Sequence, residues 1–238
     1  MDEHWRPEYD FSNKVVLITG GTGALGRTII QAFVTCKSAV ISSYINDTEI
    51  DRSETGIKSA VQLIKSDVTK EEEVKRLVSD TISKYGLIHI LVNVIGGYIG
   101  GKTVAELDIK EWDLMMDLNL KSAFLISKHI LLHMLSSKYG KIIHISSRTG
   151  LKSGGYDSAY AASKSGLIRL IESMSEEVKE SNINVNCIID TESNRRAMPK
   201  ADFTRWIHPV DLAKVVLFLC SEEARVITGA AIPTFGLS

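Results

Sequence analysis

The stretch Lys14-Val15-Val16-Leu17-Ile18-Thr19-Gly20-Gly21-Thr22-Gly23-Ala24-Leu25-Gly26 decides the architecture. Its first six residues form an apolar, β-rich run that glycines end abruptly. A run of this length bounded by glycines suits a strand buried on both faces. Leu25, Ile29, Ile30, Phe33 and Val34 then recur at helical spacing across residues 24–35. Strand, glycine turn and helix in this order bring free backbone N–H groups and the positive end of a helix dipole to one point. That arrangement binds phosphate groups.

Working outward, the same alternation continues. Residues 39–44, 60–65, 87–93, 141–146 and 183–189 read as strands, with a last short one at 230–232. Residues 45–59 are polar, without a strong period, and read as a loop. Helices follow at 70–84, from Asp108 to about 136, at 158–180 and at 209–222. Asp108 with Glu111 three residues later has the form of a capping box. Strand–helix alternation without repeats or linkers predicts βαβ units and one parallel sheet covered by helices on both faces. Ligands of such sheets bind beyond the carboxyl ends of the strands.

Composition excludes several classes. The 238 residues carry 28 Lys+Arg against 29 Asp+Glu, so there is no basic stripe for nucleic acid. The first seven residues are charged and lack the apolar core of a signal peptide. The most apolar stretch, residues 87–99, is interrupted by His89, Asn93, Gly96 and Gly97 and is too short for a membrane span. Cys36, Cys187 and Cys220 form neither a disulfide framework nor a metal pair, which fits buried thiols in a reducing cytoplasm. His129 and His133 have helical spacing but no acidic partner in a metalloprotease pattern, so no metal is expected.

Tyr160-Ala161-Ala162-Ser163-Lys164 is the sharpest chemical feature. Tyr160 and Lys164 are four apart on a helix and share a face. A lysine cation one turn away stabilises a phenolate, so it makes tyrosine a better proton shuttle at neutral pH. Ser147 ends the fifth strand 13 residues before Tyr160.

These segments resemble the short-chain dehydrogenase/reductase family over residues 14–236. Thr19, Gly20 and Gly26 match its glycine turn, with Ala24 in place of the middle glycine. The resemblance implies a Rossmann-type, doubly wound α/β fold in one domain spanning 1–238. It implies a catalytic tetrad of Asn119, Ser147, Tyr160 and Lys164. Tyr160 would donate the proton, Ser147 would position the substrate oxygen, Lys164 would tune the tyrosine and hold the nicotinamide ribose, and Asn119 would hold a water chained to the lysine.

It further implies cofactor contacts from Gly20, Thr22, Gly23, Leu25 and Gly26 in the turn and from Tyr44 after the second strand. Asp67 and Val68 would meet the adenine. Asn93 and Gly96 stand where the family has N-N-A-G, and Thr191 resembles the residue at the carboxamide. The second strand ends Ser42-Ser43-Tyr44-Ile45-Asn46 without an acid, and Asp47 comes later. Small hydroxyl side chains there favour NADP over NAD, with Arg27 and Arg52 as candidate bases for its phosphate.

After the sixth strand the family's Pro-Gly is missing. The run from Asp190 to Trp206 instead resembles dihydropteridine reductase, a branch of the same family. Three functions follow from these features. The first is an NAD(P)-dependent carbonyl reductase or alcohol dehydrogenase acting on a 3-oxoacyl thioester or a small ketone. The second is a dihydropteridine-type reductase, and the third a non-catalytic NAD(P)-binding sensor. The family's habit of pairing through its long helices implies a homo-oligomer, dimer or tetramer.

Overall fold

The computed structural model describes residues 9–51, 60–190 and 207–235. Seven parallel strands make one sheet: β1 (Val15–Thr19), β2 (Ala39–Tyr44), β3 (Val61–Lys65), β4 (Ile90–Asn93), β5 (Gly140–Ser147), β6 (Ile183–Asp190) and β7 (Ala231–Thr234). Their order is β3-β2-β1-β4-β5-β6-β7. The chain therefore winds outward from β1 in one direction, returns, and winds outward in the other. The point of return, between β1 and β4, opens a crevice at the carboxyl ends of those strands.

Alternate residues of each strand feed two cores. Leu17, Ile41, Leu91, Ile142 and Val185 face the layer of α3 (Glu71–Tyr85), α5 (Ser122–Ser137) and α7 (Ser158–Val178). Val16, Ile18, Val40, Val92 and Ile188 face α1 (Ala24–Thr35) and α8 (Pro209–Cys220). Every residue of β1 is buried. Burial on both faces is why its sequence reads as a continuous apolar run.

Strand β4 starts at Ile90 rather than at residue 87, β6 runs one residue further than expected, to Asp190, and two details of the helices also differ from the sequence expectation. Within the segment read as loop, Asp47–Asp51 form a short helix, α2. The helix expected to run unbroken from Asp108 is α4 (Ile109–Met116), a π-helical turn at Asp117–Lys121, and then α5. The capping box at its start is present, with the Asp108 carboxylate accepting from the Lys110 N–H at 2.8 Å. The π turn, where Ser122 N–H reaches back to Asp117 C=O, inserts one residue into the ladder. Such insertions re-aim a side chain and are frequent at functional sites.

No helix among the described residues is long and apolar enough to cross a membrane. Cys36, Cys187 and Cys220 are buried free thiols. Burial pushes the Cys36 thiol up to about 11 and the Cys187 thiol up to about 12, so neither is a thiolate at neutral pH.

Candidate active site

The turn between β1 and α1 lies at the crevice. Gly20 has φ +75°, outside the range that suits L side chains. A Cβ at Gly26 would stand 2.3 Å from Gly20 O and 2.6 Å from Gly21 Cα, so the helix start rests directly on the turn. Gly23 caps α1 without a side chain, and the first turn of the helix carries no acid. The helix N–H groups and dipole therefore remain available to an anion. Leu25 is partly buried against the core on the α1 side. Thr22 donates its hydroxyl to Glu49 of α2 at 2.6 Å.

Behind the turn, Thr19 pairs in register with Asn93 of β4. The Thr19 hydroxyl donates to Asn93 Oδ1, and the Asn93 amide lies 3.0 Å from His144 Nδ1. His144 Nε2 is 2.9 Å from Ser127 Oγ. Complete burial pushes His144 down to about 3, so the ring is neutral. The amide can only donate to Nδ1, which leaves the proton on Nε2. This closed network fixes the end of β4, where the segment carrying Gly96 begins.

Asn119 and Lys164 meet at Gly96. A Cβ on Gly96 would be 2.9 Å from Asn119 Oδ1 and 3.2 Å from Lys164 Nζ. The Asn119 side chain accepts from Gly97 N at 2.9 Å and donates to Gly97 O at 3.1 Å and to Ser163 Oγ at 3.0 Å. The π turn thus delivers an amide that clamps the Gly96–Gly97 segment to α7. The contacts of Asn119 with Gly97 and Ser163 are not legible in the sequence, because they join segments remote along the chain.

Lys164 is 5% exposed and donates to Ile145 O at 2.9 Å. Burial lowers its ammonium to about 8, while the nearby Asp190 carboxylate opposes that shift. Tyr160 is 2% exposed, its ring edge-on to Tyr98 at 4.9 Å and 5.9 Å from Lys164 Nζ. Ser147, the last residue of β5, pairs in register with Asp190 and accepts from Thr149 N at 3.3 Å. This caps the short helix α6 (Arg148–Leu151). Its neighbour Ser146 points the other way and donates to Lys164 O at 3.1 Å.

The structure therefore gathers Asn119, Gly96, Tyr160 and Lys164, with Ser147 at the end of the adjoining strand. Tyr44 ends β2 and Asp67 follows β3, at the far end of the crevice. Asp67 closes an Asx turn, accepting from Thr69 N at 3.1 Å. The Val68 side chain is packed in the core, so only its backbone is left for a ligand. Thr191 and the rest of the segment resembling dihydropteridine reductase beyond Asp190, residues 191–206, fall outside the described residues.

The chain is similar to known proteins over most of its length. Residues 14–199 match the family model described as short chain dehydrogenase. The 3-oxoacyl-(acyl-carrier-protein) reductase FabG of Thermotoga maritima is 29% identical over 234 residues, covering 92% of this chain and 95% of that protein. The acetoacetyl-CoA reductase of an Acinetobacter species is 27% identical over 241 residues, covering 94% and 96%. A short-chain type dehydrogenase/reductase structure from Mycobacterium ulcerans superposes with a TM-score of 0.89 over 95% of this chain and 90% of that one. At 23% identity it speaks for the fold alone.

Proposed function

The chain belongs to the short-chain dehydrogenase/reductase family, and from that membership we propose that it reduces a carbonyl to an alcohol, or runs the reverse oxidation. The observation that carries this is the buried ammonium of Lys164 beside Tyr160, at the carboxyl ends of β4 and β5. The glycine turn and uncapped α1 start fit a dinucleotide pyrophosphate. Gly20, Thr22, Gly23, Leu25 and Gly26 would hold it there. Tyr44, Asp67 and the Val68 backbone would face the adenosine, and Asn93, Gly96 and Thr191 the nicotinamide end. When bound, NAD(H) or NADP(H) supplies or accepts the hydride.

The remaining work falls to the chain. Ser147 Oγ holds the substrate oxygen and stabilises the charge that develops on it. Tyr160 gives that oxygen its phenolic proton. Lys164 favours the resulting phenolate, and among the described residues two of its three N–H donors remain beyond the bond to Ile145 O. Those donors suit a ribose hydroxyl and a water. Asn119 pins the Gly96–Gly97 segment beside the amine, and a water that it chains to Lys164 returns the proton to Tyr160.

As substrate we propose a 3-oxoacyl thioester or a small ketone, on the strength of the two reductases named above. We propose a single domain over 1–238, working in the cytoplasm. It would act as a homo-oligomer that covers Phe124, Leu132 and Leu135, which are 45%, 66% and 41% exposed along α5. The test is oxidation of NADH and NADPH with acetoacetyl thioesters and small ketones across pH. Lysine must stay protonated to tune the tyrosine. Activity should therefore hold below about pH 8 and fall as the pH rises through that value. The Lys164→Arg variant, which keeps its charge, should lose this alkaline limb. A chain that binds the dinucleotide but oxidises it with none of these carbonyls would instead support the sensor.

A further inference from the structure

Glu49 is the acid that the end of β2 lacks. Helix α2 starts three residues after β2 ends, and its Glu49 N–H is bonded to Asn46 O at 2.9 Å. The Glu49 carboxylate turns back: Oε1 accepts from Asn46 N at 3.1 Å, and Oε2 accepts from the Thr22 hydroxyl at 2.6 Å. One carboxylate therefore ties the loop after β2 to the glycine turn after β1. These strands are hydrogen-bonded neighbours, with Ile18 opposite Ser42. An adenosine ribose lies across this junction when the pyrophosphate sits on the N-terminus of the following helix.

The local charge has the same sense. Lys65, which β3 brings opposite Tyr44, is bound by Asp47 at 2.9 Å. Two carboxylates, those of Asp47 and Glu49, thus stand at this end of the crevice, and the Lys65 cation is already engaged. A carboxylate that accepts a hydroxyl from Thr22 can accept one from a sugar by the same chemistry. A phosphate ester on that sugar would meet it as a like charge.

We infer, on the dinucleotide reading above, that Glu49 selects the cofactor. It accepts the ribose hydroxyls and excludes a ribose phosphate, so the chain takes NAD(H) over NADP(H). The hydroxyl-rich end of β2, read alone, favours the opposite. The carboxylate becomes visible only when α2 folds residue 49 back onto residue 22.

Calorimetry of the full chain with NADH and with NADPH tests this without catalysis. The wild type should bind NADH at least roughly tenfold more tightly, the scale of one like-charge contact at a half-exposed site. Glu49→Gln keeps the size of the side chain and removes its charge. It should raise NADPH affinity by about tenfold while NADH affinity moves less than about threefold. Wild-type preference for NADPH, or a Glu49→Gln variant that shifts both nucleotides equally, would overturn the assignment and leave the dinucleotide site standing. An NADPH preference abolished by Arg27→Ala would give the ribose to that cation and likewise overturn it. A chain that is folded by circular dichroism and binds neither nucleotide would end both readings.

Discussion

Replacing Tyr160 with Phe should lower kcat/KM for carbonyl reduction by about a thousandfold, within the span seen when a positioned proton donor is removed. The phenyl ring keeps the edge contact with Tyr98 at 4.9 Å and the packing of a side chain that is 2% exposed. Stability should therefore change little. The substitution leaves the glycine turn and Lys164 in place, so dinucleotide affinity should stay within about threefold of wild type. Steady-state rates with an acetoacetyl thioester and calorimetry with the reduced dinucleotide check the two halves separately. A loss of binding that parallels the loss of rate would point to a collapsed site rather than a missing proton.

Gly26→Ala should act in the opposite order, on binding first. The added methyl would lie 2.3 Å from Gly20 O and 2.6 Å from Gly21 Cα. Both obstacles are backbone, so no side chain can rotate away. The turn must open, which misaligns the N–H groups that we propose hold the pyrophosphate. We expect dinucleotide affinity to fall by about a hundredfold and stability to drop by about 1–3 kcal/mol, as for other overpacked sites. Gly155→Ala is the control. Its Cβ would meet no atom within 4 Å among the described residues, and it lies outside the glycine turn. Binding by that variant should remain near wild type.

The parts of the fold legible in sequence are those governed by local periodicity. Strand β2 and helix α1 span the residues expected, because their apolar patterns end at glycine and at turn residues. The parts not legible depend on contacts remote in sequence. A five-residue helix such as α2 is too short to display a 3.6-residue period, and its bond from Thr22 to Glu49 crosses 27 residues. The π turn at Asp117–Lys121 leaves no mark on the apolar stripe, since its purpose is to aim Asn119 at Gly97.

The candidate site divides in the same way. Tyr160, Lys164, Ser147 and Asn119 are candidates that spacing and family likeness already mark in the sequence. Their supports are not marked. His144 stands inside the run read as the fifth strand and belongs to no motif, yet it is wholly buried between Asn93 and Ser127. Asp190 read as the start of a loop, yet it ends β6 opposite Ser147 and bears on the charge of Lys164. Both roles come from sheet register, which the sequence expresses only through pairings it does not label.

The most direct test of the central claim follows an isotope. The chain is incubated with an acetoacetyl thioester and dinucleotide deuterated at the reducing position of the nicotinamide, and the product is analysed by mass spectrometry. The account predicts a 3-hydroxyacyl thioester with one deuterium on the carbinol carbon, formed by the wild type and nearly absent with Tyr160→Phe. An undeuterated alcohol, or equal yields from the two proteins, would contradict it.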